Sequence, residues 1–172
     1  MNFGFSDEQE ELRATVRRFL ADRSPESEVR RLMETTDGYD PVVWSQLAGQ
    51  VGVLGLAIPE QYGGSGFGFL ELEIVFEEMG RALLCAPYFA TVAMATSLLL
   101  SSGDDKACKE LLPAIAAGTS IATVAVTESD GVWAEASITT TATLAGDSWR
   151  IDGVKDFVVD GHVADTILVV AR

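Results

Sequence analysis

The sequence predicts an α+β protein in which a bundle of α-helices leads into the first strands of a β-barrel-like domain. Up to residue 118, apolar residues recur every three or four positions, which is the spacing of one helix face. From residue 119 onward, runs rich in Thr, Val and Ile alternate with Gly-Asp turns, which is typical of short strands. We therefore assign 1–118 to a helical N-terminal domain and 119–172 to a partial middle β-domain.

The first helices are marked by their ends. Ser6 and Gln9 form a capping box, in which each side chain pairs with the backbone N–H of the other residue. Asp40 followed by Pro41 begins another helix, because Asp caps the first turn and Pro lacks only an N–H that would have no helical partner. Gly52 is expected to end that helix.

Residues 59–68 form a glycine-rich stretch, Pro-Glu-Gln-Tyr-Gly-Gly-Ser-Gly-Phe-Gly, that allows two interpretations. A nucleotide-binding loop is one of them. Its glycine spacing matches neither the dinucleotide fingerprint nor the P-loop, and no clear strand precedes it. We favour a tight connector between two helices, because glycine accepts the positive φ angles of sharp turns.

Three helical stretches follow this connector. The first has an apolar face running from Leu72 to Leu83 at spacings of three and four residues. Residues 88–101 are almost wholly apolar and are expected to form one helix inside the bundle. The last stretch ends at Gly118, with a kink or break expected at Pro113. The predicted core of the bundle comprises Leu12, Phe19, Trp44, Leu47, Phe76, Met79, Leu98 and Leu111.

The β-domain is predicted from β-branched runs and from its turns. Turns are expected at Gly146-Asp147 and at Asp152-Gly153, and Asp-Gly is a strong signal for a hairpin. The expected strands cover 121–127, 137–144, 149–151, 157–159 and 166–171.

Composition excludes several classes of function. The net charge of −14 makes nucleic acids and anionic membrane surfaces improbable partners. The longest uncharged apolar run, 85–100, is shorter than the roughly 20 residues of a membrane helix. Cys85, Cys108 and the single histidine, His162, fit no metal or disulfide pattern, so we expect free thiols, no metal and a cytoplasmic protein. We also expect no signal peptide.

Two adjacent acid pairs, Glu77-Glu78 and Asp104-Asp105, are the obvious carboxylate candidates. Neighbouring residues on a helix point in different directions, so we interpret both pairs as solvated surface rather than as general acid and base. Composition and pattern alone therefore identify no reaction.

The order of these signals resembles the acyl-CoA dehydrogenase family along the whole chain. The most specific string is Ile-Pro-Glu-Gln-Tyr-Gly-Gly-Ser-Gly at 58–66, and Phe-Ser-Asp-Glu-Gln at 5–9 and Glu-Glu-Met-Gly-Arg at 77–81 are also similar. Val126-Thr127-Glu128-Ser129 occupies the place of the family's Thr-Glu-Pro motif. Residues 153–161 resemble its Gly-x-Lys-x-Trp-Ile-Thr-Asn-Gly motif.

The resemblance implies a flavoenzyme that oxidises an acyl-CoA thioester, with FAD as cofactor and electron-transferring flavoprotein as electron acceptor. The backbone around Val126 and Thr127 would face the isoalloxazine ring, and Phe157 and Val159 would lie against its other edge. Trp133 aligns with a serine that contacts the pyrophosphate or the thioester, so it is a candidate for binding both cofactor and substrate. The implied cofactor-binding residues are Val124, Val126, Thr127, Trp133, Phe157, Val158 and Val159.

Several of these positions depart from the family pattern. Val159 replaces the threonine near flavin N5, Phe157 replaces tryptophan, Ser129 replaces proline, and Val132-Trp133-Ala134 replaces Gly-Ser-Asp. The lost hydroxyl and the added indole predict weak FAD binding, and simple drift in a member with a different substrate is the alternative interpretation. Three alternatives stay open: a dehydrogenase, a non-catalytic or FAD-poor subunit of a heteromeric dehydrogenase, and a related flavin monooxygenase.

The resemblance also implies that the catalytic glutamate belongs to a C-terminal helical domain that this chain lacks. We therefore assign no catalytic residue and expect the chain alone to be inactive. The family's proteins are longer, so we expect a truncated piece of a homo- or hetero-oligomer, either a dimer or a tetramer.

Overall fold

A computed structural model describes residues 4–172, which form a helical half (4–118) and a β segment (119–172). In this part of the chain the α-helices are α1 (Asp7–Arg23), α2 (Glu26–Met33), α3 (Pro41–Gln46), α4 (Phe69–Arg81), α5 (Thr96–Ser101) and α6 (Asp105–Ala116). Two π-helical segments, Leu47–Val51 and Phe89–Ala95, follow α3 and precede α5, and 3₁₀ turns cover Glu60–Tyr62 and Glu135–Ser137. The strands are β1 (Ala122–Ala125), β2 (Thr141–Ala145), β3 (Ser148–Asp152) and β4 (Thr166–Val169). None of the described helices combines the length and apolar character needed to cross a membrane.

The helix ends that depend on local side chains are confirmed. The Gln9 N–H donates to Ser6 Oγ at 3.2 Å, and the Ser6 N–H donates to Gln9 Oε1 at 3.0 Å. Asp40 Oδ1 accepts the Val42 N–H at 2.8 Å, with Pro41 as the first residue of α3. Gly52 ends the following π-helical segment with a φ of 76°.

The core of the helical half agrees with most of the prediction. Buried among the predicted core residues are Trp44, Leu47 and Met79. Partly buried against the core are Leu12, Phe19, Phe76 and Leu111. The prediction for Leu98 is wrong, because its side chain is 38% exposed. The π-helical segment before α5 shifts the helical register, so a face drawn for one regular helix over 88–101 is not the buried face.

Two further helix predictions need correction. Leu83 lies beyond the end of α4, where its φ of 50° turns the chain and leaves the side chain exposed. Of the kink or break expected at Pro113, the break is excluded, because helix α6 runs through this residue, and Gly118 follows the helix with a φ of 70°.

The glycine-rich stretch is a connector, as the sequence favoured. Backbone N–H groups of Ser65, Gly66 and Phe67 donate to carbonyls of residues 55, 58 and 56, so they face this chain's own backbone. A Cβ at Gly64 would lie 2.0 Å from the Ile58 carbonyl oxygen. Close packing of two backbones therefore explains glycine at this position.

The β segment contains two pairs of strands. β1 pairs in parallel with β4, and β2 pairs with β3 in a hairpin whose turn contains Gly146, as predicted. The predicted strand at 157–159 is wrong, because these residues lie in a loop in which Phe157 has a φ of 52°. No strand follows β3 directly, so Asp152-Gly153 is not a hairpin turn. A Cβ at Gly153 would lie 2.5 Å from Thr140 Oγ1, so close packing accounts for this glycine.

The two halves are joined at β1. The Thr91 hydroxyl donates to the Ala122 carbonyl at 3.0 Å and accepts the Ala122 N–H at 3.2 Å. Trp44 Nε1 donates to the Gly118 carbonyl at 3.0 Å, just before β1. The helical half therefore fixes the position of β1, and β1 positions the residues that follow it.

Candidate functional site

β1 carries the first group of predicted site residues. All four residues of the strand are buried, and Val124 packs into the apolar cluster that contains Ile58 and Leu112. Val124 is therefore 8% exposed and lies beneath the surface. Val126 and Thr127 follow the strand and are half-buried, so their backbone reaches the surface at the end of β1.

The second group of predicted site residues, Phe157, Val158 and Val159, lies beside the first. The Asp156 N–H donates to the Thr127 carbonyl at 2.9 Å, and the Thr123 hydroxyl donates to the Val159 carbonyl at 2.6 Å. These two contacts make the loop through Phe157 run back alongside β1 in the opposite direction. Two stretches about 30 residues apart in sequence therefore meet, and their meeting could not be read from either motif alone.

Three of the predicted side chains are exposed to solvent. Phe157 is 89% exposed, Trp133 is 72% exposed and Val159 is 42% exposed, while Val158 is half-buried. Trp133 is brought to the first group, because its Nε1 donates to the Thr127 hydroxyl oxygen at 3.0 Å. The indole N–H thus uses one acceptor site on the Thr127 hydroxyl oxygen at the end of β1.

Glu128, the acidic residue of the same motif, was not among the predicted site residues, although it is central to this region. Its side chain is 7% exposed. It accepts the backbone N–H groups of Thr139 and Thr140 at 2.8 and 2.9 Å, and also both threonine hydroxyls. The Lys155 ammonium group, with these threonines, holds the pKa of the Glu128 carboxyl far below its usual range.

Lys155 completes this buried cluster. Its Nζ donates to Glu128 Oε1 at 2.8 Å and to the Val126 carbonyl at 3.2 Å. The sequence pointed to both residues of this cluster, since Glu128 belongs to the first motif and Lys155 to the second. What sequence reasoning missed is that the two motifs form an ion pair with each other.

A second buried carboxylate lies in the helical half. Glu78 is fully buried, so its interpretation as solvated surface is wrong. Arg17 binds it through two nitrogens at 2.6 and 2.9 Å, and Arg81 donates to it at 3.0 Å. These arginines, Arg17 first, lower the pKa of Glu78 to about 2. The cluster fastens α1 to α4.

The chemistry of both carboxylates argues against proton abstraction. A general base works best with a pKa near the operating pH. Arginines lower the pKa of Glu78, and Lys155 together with two threonines lowers that of Glu128. The region around β1 instead offers backbone groups, the Thr127 hydroxyl and exposed apolar side chains, which suits binding of a planar ligand.

Residues 6–119 match the family model described as the acyl-CoA dehydrogenase N-terminal domain. This match covers more than half of the chain and nearly the whole helical half. The chain belongs to the acyl-CoA dehydrogenase family. The family and the α+β fold class predicted from the sequence are thereby confirmed.

Curated relatives of this chain extend the similarity into the β segment. Acyl-CoA dehydrogenase FadE12 of Mycobacterium tuberculosis is 35% identical over 173 residues, which cover 97% of this chain and 42% of that protein. Mitochondrial isovaleryl-CoA dehydrogenase of Pongo abelii is 33% identical over 173 residues, covering 98% and 40%. The chain thus spans about two fifths of the length of these relatives.

Solved structures share the same arrangement. A steroid acyl-CoA dehydrogenase, Tcur3481-Tcur3483, aligns with a TM-score of 0.82 at 32% identity, covering all of this chain and 45% of that one. An FAD-dependent dehydrogenase aligns with a TM-score of 0.77 at 30% identity, covering 99% and 44%. The ChsE4-ChsE5 complex from Mycobacterium tuberculosis gives 0.85 at 27% identity, covering 100% and 46%.

Proposed function

We propose that this chain is the N-terminal part of a flavin-dependent enzyme that introduces a double bond between the α- and β-carbons of an acyl-CoA thioester. The observation that carries the proposal is the meeting of Val126 and Thr127 with the loop through Phe157 and Val159. Both stretches belong to motifs that resemble those of the family, and they lie together at one surface.

The residues of this chain would bind and orient the flavin. Members of the family are FAD-dependent, and FAD, when bound, would accept the hydride from the β-carbon. The backbone and hydroxyl at Thr127 would face one edge of the ring system, and the loop with Phe157 and Val158 would lie against the other. Val124 would support this surface from below. Trp133 would lie where cofactor and thioester approach each other.

The proton from the α-carbon would go to a base that we assign to no residue of this chain. The buried carboxylate nearest to the proposed flavin position is Glu128, which five donated hydrogen bonds hold in its charged form. We therefore expect the 172 residues by themselves, supplied with FAD and an acyl-CoA, to produce no enoyl-CoA.

Partners follow from the same proposal. An electron-transferring flavoprotein would reoxidise the flavin, and the chain would act in the cytoplasm within a dimer or tetramer. The presence of a two-protein complex, ChsE4-ChsE5, among the similar structures supports assembly with an unlike chain.

A second candidate function is a non-catalytic or FAD-poor subunit of a heteromeric dehydrogenase. The specific observation in its favour is the Trp133 indole bound to the Thr127 hydroxyl. A flavin group that donates to this oxygen would compete with the indole, although the Thr127 O–H stays able to donate. Val159 also lacks a hydroxyl to offer at the other edge.

Purification of the full-length protein, with whatever chains copurify, separates the two candidates. A yellow protein whose visible flavin absorption bleaches on addition of an acyl-CoA is the expected result for the dehydrogenase. A colourless chain that copurifies with a flavin-containing sister chain would favour the second candidate. A yellow protein whose absorption no acyl-CoA changes would contradict the dehydrogenase.

A further inference from the structure

Three stretches of the β segment meet at the ion pair of Glu128 and Lys155. Glu128 directly follows Thr127, and Lys155 lies two residues before Phe157. The third stretch is Thr139-Thr140, which leads into β2 and gives all of its N–H and hydroxyl donors to Glu128. The pair therefore connects both groups of proposed flavin-facing residues to one hairpin.

The backbone around this pair has little regular structure, and two further hydrogen bonds, from Asp156 to Thr127 and from Thr123 to Val159, join the same stretches. Residues 126–140 contain one 3₁₀ turn and no strand, and residues 153–165 contain no helix or strand. The side chains of Glu128 and Lys155 are each 7% exposed, so the pair is shielded from solvent. A shielded, hydrogen-bonded pair has a defined geometry, which loops of this kind do not supply by themselves.

Stability alone does not explain why a charged pair is kept here. Removing two charges from water is costly, and apolar replacements of buried ion pairs are often no less stable. The contact of Lys155 with the Val126 carbonyl points to another role, because it fixes main chain that would face the flavin.

We propose that Glu128 and Lys155 are positioning residues that hold the Val126-Thr127 backbone at a fixed separation from the loop through Phe157. Flavin binding then needs no ordering of either stretch, which saves conformational entropy on binding. The inference rests on the proposed function, because it concerns how that function's cofactor surface is built.

The test uses the variants Glu128→Gln, Lys155→Met and the double variant Glu128→Gln/Lys155→Met. The double variant removes both charges, so that no uncompensated charge stays buried and folding is retained. Hydrogen exchange is measured without cofactor, and FAD titrations report the dissociation constant and the visible absorption spectrum of the bound flavin. We expect faster exchange at 126–128 and 155–159, a dissociation constant raised about tenfold, and a shifted flavin band in the double variant.

Glu78→Gln is the matched control, because it neutralises a buried, ion-paired carboxylate in the helical half. It should lower the melting temperature but leave exchange at 155–159, FAD affinity and the flavin band unchanged. Equal losses of affinity in this control and in the double variant would overturn the proposal, as would unchanged exchange and affinity in the double variant. Faster exchange in the double variant, together with a wild-type chain that binds no FAD, would keep the holding role and overturn the proposed function.

Discussion

The two buried glutamates show how differently the two halves of this chain are held together. Glu78 lies within α4, and its partners Arg17 and Arg81 project from helices with side chains that are 51% exposed. Glu128 lies in a loop, and its partner Lys155 is buried in another loop. In the helical half, regular elements bring the charges together. In the β segment, the charges hold irregular backbone in place.

Apolar burial follows the same division. The helical half contains large, fully buried side chains such as Leu20, Leu47 and Leu54. In the β2–β3 hairpin, Trp149 and Ile151 are 65% and 52% exposed. Because burial of apolar surface is the main favourable contribution to folding, most of the stability should lie in the helical half.

Truncation of one tryptophan in each half should give the largest difference between them. Trp44 is 4% exposed and donates to the Gly118 carbonyl, so Trp44→Ala should lower the free energy of unfolding by about 3–5 kcal/mol. Trp149→Ala should change it by less than about 1 kcal/mol. Urea unfolding followed by circular dichroism measures both, and similar losses would show that stability is spread evenly over the chain.

A methyl group at Gly64 should have the next largest effect. Its Cβ would lie 2.0 Å from the Ile58 carbonyl oxygen, so backbone must move, and we expect Gly64→Ala to cost about 2–3 kcal/mol. Gly49→Ala is the control, because a Cβ there meets nothing within 4 Å and the residue is helical. Thermal unfolding should separate the two variants clearly, and matching melting temperatures would refute the packing explanation for the connector.

Local sequence signals predicted the helical half well, because its helix ends depend on neighbouring residues. The pairing of Ser6 with Gln9 and the cap at Asp40 each lie within three residues of the groups they bind. The error at Leu98 came from assuming one regular helix, and a π-helical segment leaves no strong signal in hydrophobic periodicity.

The site was less predictable, because its geometry depends on residues far apart in sequence. Runs such as 157–159 have strand-forming residues, but a strand also needs a partner, and β1 pairs with β4 instead. The motifs located Glu128 and Lys155, which are 27 residues apart, yet only the fold shows that they bind each other. The burial of Glu78 was missed for a similar reason, because it depends on where the side chains of Arg17 and Arg81 lie in the fold.

Acid should weaken the helical half through Glu78. Its pKa in the folded chain is about 2, below its ordinary value of 4.5, so its contribution is complete above pH 4.5 and is lost as pH falls toward 2. Because its arginine partners are half-exposed and screened, we expect this loss to be about 1–2 kcal/mol.

Urea unfolding between neutral pH and about pH 2 checks this sign. The stability difference between wild type and Glu78→Gln should shrink as the solution becomes more acidic, because protonation makes the two side chains alike. Arg30→Gln is a suitable control, since its partner Glu26 is exposed and the pair contributes little. A difference that stays constant with pH would mean that folding does not shift the pKa of Glu78.

The smallest effect concerns the surface proposed to face the flavin. Val159→Thr restores a hydroxyl, and one additional hydrogen bond to a buried flavin nitrogen is worth about 0.5–1.5 kcal/mol, or up to roughly tenfold in affinity. Trp133→Ser should add to this, because it frees the Thr127 hydroxyl from the indole that now donates to it. FAD titrations of the wild type, both single variants and the double variant give the four affinities needed.

Trp149→Ser serves as the control for loss of an exposed indole, and its affinity should equal that of the wild type. Tight FAD binding by the wild type, with no gain in the double variant, would remove the case for an FAD-poor subunit. It would also mean that the flavin takes a path over β1 that avoids both side chains.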